Sequence, residues 1–134
     1  MTFSSVEACI SSAGPAKTAG QLQVGFAVKD SSLQWTPRAS GGDTAHLIAL
    51  LVALDKDRSI QFSSAEDLTV SVRDHAEIAT GQMQTRRNIT VNSRTCSVRL
   101  VVRDAQGRIG TADITPEQLS SVAGLKTSSH CERK

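Results

Sequence analysis

Tyrosine is absent from this 134-residue chain, and aromatic residues of all kinds make up only 3%, with three Phe and one Trp, Trp35. The core must therefore be aliphatic, built from Val, Leu, Ile and Ala. The scarcity also removes the stacking platforms on which single-strand binders hold bases, each contact being worth about 1–3 kcal/mol. Cysteines number three, Cys9, Cys96 and Cys131, with no CxxC spacing. That odd count argues against a metal finger and against a disulfide framework, so Cys9 and Cys96 read as small buried hydrophobes within strands. No run approaches the roughly 18 apolar residues of a membrane span. The opening Met1-Thr2-Phe3-Ser4-Ser5 has neither the basic region nor the apolar stretch of a secretory signal. The expectation is a cytoplasmic, reducing location with no membrane partner.

What is present is ordinary globular composition, 39% hydrophobic and 21% charged, in a length that suits one domain. Fifteen basic residues against thirteen acidic ones leave a net charge of +2. That balance allows nucleic-acid contact without arguing for it. Arg86 and Arg87, with Arg94 and Arg99 following, form the densest basic group. Arg86, Arg87 and Arg94 are the candidate nucleic-acid-binding residues, and the plainer reading is solvated surface charge.

Strand signals come first along the chain. Residues 6–10 read as a strand, closed by Gly14-Pro15. Leu22, Val24, Phe26 and Val28 alternate at the period of a half-buried strand, and a third strand follows around residues 33–36. After Gly41-Gly42, Asp43 is placed to cap a helix over residues 44–54, where Leu47, Ile48, Leu50, Leu51 and Leu54 cover most of the circumference. Residues 59–63 make a short strand. Ser63 and Glu66 then fit a capping box opening a second helix, with Leu68, Val72, His75, Ala76 and Ala79 at helical spacing and Gly81 as its stop. Residues 88–91 offer an edge strand, and residues 97–103 a further strand. Thr115, Pro116 and Gln118 open a last helix ending at Gly124. The result is a domain over residues 1–125 and a loose tail over 126–134.

The order β-β-β-α-β-α-β-α resembles that of the ribonuclease H-like family. The local pieces that carry the resemblance are Val6-Glu7 entering a strand, Gly25 within the next strand, the Leu/Ala cadence of residues 45–54, and Phe62 to Leu68 at a strand-to-helix junction. The resemblance implies an α/β fold, a mixed five-stranded sheet of three antiparallel strands followed by parallel βαβ crossovers, with helices packed on it. It also implies a site of two magnesium ions held by four carboxylates. Here the corresponding positions are Ser11, His46, Ser64 and Glu117, the last sliding to Asp113 in an alternative alignment. Three of four ligands are missing, so no catalytic residues and no metal are expected. A relocated site would draw on Asp43, His46, Asp67 or Asp113 and would need Mg2+ or Mn2+. Asp43, Glu66 and Asp67 are otherwise accounted for at helix N-termini.

The functional expectation is a pseudoenzyme, a non-catalytic module for protein interaction or self-association, without a cofactor. Binding of an RNA–DNA hybrid or duplex through Arg86, Arg87 and Arg94 is the alternative. A divergent ribonuclease H with relocated ligands is the second. His75 reads as a hydrogen-bonded residue at the edge of the core. His130 and Cys131 are metal donors without further partners.

Overall fold

The computed structural model describes residues 6–120 and residue 131. Within them the chain is almost entirely β-structure. The strands are β1 (Ala8–Pro15), β2 (Gln21–Lys29), β3 (Thr36–Pro37), β4 (Asp43–Leu54), β5 (Ile60–Val72), β6 (Gln82–Thr90), β7 (Ser97–Asp104) and β8 (Ile109–Ile114). Short 3-10 turns occupy Asp30–Ser32 and His75–Ala79, and one helix, α1, covers Pro116–Ser120. All pairings are antiparallel. One sheet runs β1-β2-β6; the other runs β5-β4-β7-β8, with β3 beside the start of β4.

This overturns the α/β expectation. There is no parallel crossover among the described residues and their one α-helix is five residues long, so the ribonuclease H-like architecture is withdrawn. Residues 44–54 are not a helix but the central strand β4, paired along its length with β5 and with β7. The second expected helix is the rest of β5 followed by a 3-10 turn that contains His75. The short strand over 59–63 is only the first part of β5. The far end of the last helix, residues 121–125, and the tail apart from Cys131 lie outside the described residues.

Alternation explains how the two sheets close on each other. In β2, Leu22, Val24, Phe26 and Val28 are buried, and in β4 so are Ala45, Leu47, Ala49, Leu51 and Ala53. Val98, Leu100 and Val102 of β7 and Ile114 of β8 complete the inner face of the larger sheet. The two inner faces form one aliphatic core, as the composition required, in a two-sheet sandwich. Leu119 is fully buried and joins that core. Its helix starts as the sequence indicates: Thr115 Oγ1 accepts from the Gln118 N–H at 3.2 Å, and Gln118 Oε1 accepts from the Thr115 N–H at 2.8 Å.

Three local devices fix the edges. Gly110 lies so close to the Val6 backbone that a Cβ there would strike the Val6 carbonyl, which brings β8 against the segment leading into β1. On the opposite side Arg87 of β6 and Glu66 of β5 form an ion pair that bridges the two sheets. Cys96 and Cys131 are joined in a disulfide across a separation of 35 residues. The bridge corrects the expectation of unpaired thiols. Cys96 is a buried half-cystine, and Cys9, read as buried, is an exposed free thiol.

Candidate functional site

A strand whose inner face feeds a core normally turns polar residues outward. β4 does not. The positions that alternate with the Ala45 to Ala53 set are His46, Ile48, Leu50, Val52 and Leu54, of which His46 and Ile48 are exposed, Leu50 is half-buried, and Val52 and Leu54 are buried. Register then assigns their neighbours. Ile48 lies between Asp67 of β5 and Arg103 of β7, and Arg103 pairs with Ile109 of β8. In the next row Leu50 lies between Ala65 and Val101, with Thr111 beyond. The row after that is Ser63, Val52, Arg99 and Asp113. Directly opposed residues in an antiparallel pair share a face, so these three rows form one surface.

That surface mixes apolar and charged positions. Ile48 is 43% exposed and Ile109 is 50% exposed, with Arg103 between them in their own row and half-buried Leu50 and Val101 linking them through the next. Arg99 holds Asp113 in a two-pronged contact, Nε to Oδ1 at 2.7 Å and Nη2 to Oδ2 at 3.2 Å. The carboxylate's hydrogen bond and charge push the Arg99 guanidinium further up. Asp67 and Arg103, both exposed, make no ion pair with any described residue. His46 shares a contact of 3.2 Å between Nδ1 and Thr69 Oγ1 at the border of the patch.

The structure does not gather the other residues singled out from sequence. Ser11 is exposed at the irregularity in β1, in the smaller sheet. His46 faces outward from the larger sheet, whereas Ser64, opposite Leu51, faces the sandwich interior. Glu117 is in the first turn of α1. Of the relocated set, Asp43 points inward with Ala45, and His46 and Asp67 point outward. Asp113 is held by Arg99 on β8. Arg86 and Arg87 are successive residues of β6 and so emerge on opposite faces. Arg87 is engaged by Glu66, and Arg94 lies in the turn before β7, where its N–H donates to Asn92 Oδ1 at 2.8 Å. The described residues contain no group of three or more His, Cys, Asp or Glu side chains placed to hold a metal ion.

Sequence reasoning missed the outer face because it placed β4 and β5 on helices and passed over β8. The signal for β8 was present: Asp104-Ala105-Gln106-Gly107-Arg108 is a turn sequence between two strands. Gly107 adopts φ +86°, and Asp104 Oδ1 accepts from the Gln106 and Arg108 N–H groups, each at 2.9 Å. No helix among the described residues is long and apolar enough to cross a membrane. No family model matches the chain, and no curated protein matches it.

Proposed function

We propose that this domain is a non-catalytic interaction module that engages protein through the outer face of the β5-β4-β7-β8 sheet. The observation that carries the reading is the apolar run Ile48, Leu50, Val101 and Ile109, which passes around Arg103 and is flanked by Asp67 and the Arg99–Asp113 pair. Single exposed hydrophobes are common, but two of them linked through half-buried Leu50 and Val101 across three adjacent strands mark a surface that gains by being covered. Mixed charges suit a polypeptide partner better than a phosphate backbone, which favours an unbroken basic track. With Arg86 and Arg87 on opposite faces, the nucleic-acid alternative lacks such a track. The module calls for no cofactor.

The Cys96–Cys131 bridge supports an oxidising compartment for the folded chain in place of the reducing one expected from the cysteine count.

A photo-crosslinking residue tests the face directly. Placed at Ile109, it is expected to give protein adducts under native conditions. Placed at Gln84, on the outer face of the smaller sheet, it is expected to give none. Equal labelling from both positions, or none from Ile109, overturns the reading.

A further inference from the structure

The geometry points to a second copy of this chain as the occupant of that face, docked about a two-fold axis that runs along β4. The inference rests on the reading of the face as an interaction surface and names what covers it.

The argument is one of symmetry and charge. Asp67 and Arg103 occupy one row, on the strands that flank β4 on either side, with Ile48 between them. A two-fold axis parallel to β4 exchanges the two flanks. It sets Asp67 over the partner's Arg103 and Arg103 over the partner's Asp67, so both charges left without an ion pair inside one copy find one across the interface. The same operation lays Ile48 against the partner's Ile48, Leu50 against the partner's Leu50, and Ala65 against the partner's Val101. Ile48, Leu50 and Val101 are then each matched by an apolar position, while Ile109, on β8 one strand beyond the overlap, lies at the rim beside the edge of the partner's β5. Residue i meets residue j and j meets i, which is the self-complementarity that a closed dimer demands.

The packing is physically ordinary. Facing sheets stack about 10 Å apart with their strands within about 30° of alignment, and an axis along β4 keeps the facing strands aligned. The area is modest. The three overlapping strands, about 4.8 Å apart, and about seven residues at about 3.4 Å outline roughly 340 Å² in plan. That lies below the roughly 800 Å² of accessible surface per partner in a standard interface. The dimer is therefore expected to be reversible and concentration-dependent. A nucleic-acid occupant would meet Asp113 on Arg99 and Asp67 in the same row as Arg103.

The test is charge exchange in the full-length, disulfide-intact chain, read by analytical ultracentrifugation from micromolar to millimolar concentration. The unaltered chain is expected to shift from monomer to dimer. Asp67→Arg and Arg103→Asp each set like charges against each other twice, and each is expected to raise the dimer dissociation constant about tenfold or more. The double variant Asp67→Arg/Arg103→Asp restores opposite charges and is expected to return within about threefold of the original. Both sites are exposed, so the variants should keep the original β-sheet circular dichroism. A chain that stays monomeric, a dimer indifferent to the single changes, or a double variant no better than the singles overturns the inference. If the chain is monomeric yet Ile109 still crosslinks to other proteins, the dimer fails and the broader reading stands. If it is monomeric and Ile109 labels nothing, both fail.

Discussion

Two buried aspartates show how the same residue type is handled in opposite ways. Asp104 is buried, and burial alone would push its carboxyl up. The Arg108 and Gln106 N–H groups and the Arg108 side chain, with Nε 2.6 Å from Oδ2, outweigh that and hold it below the ordinary aspartate value. Its contribution to stability is present above that ordinary value and is lost as pH falls through the lowered one. Asp30 is the reverse: burial first, and the nearby Glu77 second, push its carboxyl up, and its Oδ1 has no hydrogen-bond partner among the described residues. Its charged form therefore costs stability at neutral pH, and the cost disappears as pH falls through the raised value. Asp30→Asn is accordingly expected to raise the denaturation midpoint at pH 7, with the gain shrinking toward zero at about pH 4. Chemical denaturation at the two pH values checks this; a constant difference, or a loss at pH 7, would show that the ionised carboxylate is not the source of the cost.

At the scale of elements, what was legible depended on whether one face of a strand was polar. β2 and β7 carry their core residues at every second position, Leu22 to Val28 and Val98 to Val102, and are strands as the sequence indicates; the opening of α1 also agrees. β4 was not, because Ala45, Leu47 and Leu51 point to the core while Ile48, Leu50 and Val52 on the other face are apolar too. A strand apolar on both faces carries no period of two, and its 12 residues exceed the usual strand length, so it reads as a helix. The misreading and the candidate site thus have one cause: the apolar outer residues that hid the strand are those that form the patch. For β5 the spacing of Leu68 and Val72 suits a strand as well as a helix, and the Ser63/Glu66 pattern that resembles a capping box points to the helix. The β8 contact with the N-terminal segment could not be read from sequence, since it depends on Gly110 meeting a backbone distant in the chain. Gly110→Ala is expected to cost about 1–3 kcal/mol, typical of overpacking against backbone. Hydrogen exchange should show the loss concentrated in β1 and β8. A cost spread evenly over both sheets would count against that contact.

For the whole molecule, the sandwich is held by an aliphatic core and by one covalent link that the cysteine count did not foretell. Closing a loop of 35 residues restricts the unfolded chain by up to about 4 kcal/mol, and reduction is expected to cost about 2–4 kcal/mol of that. The bridge also has a mechanical consequence. Cys96 stands just before β7, and Cys131 follows β8 and α1, so tension applied at the two ends of the chain passes from one sulfur to the other. β7, β8 and α1 sit on a slack branch that carries no load. Pulled in a single-molecule experiment, the oxidised protein should release about 120 Å less contour length than the reduced one. The strand carrying Arg103 and Val101 would then be sheltered from force, even as β4 is drawn away beside it.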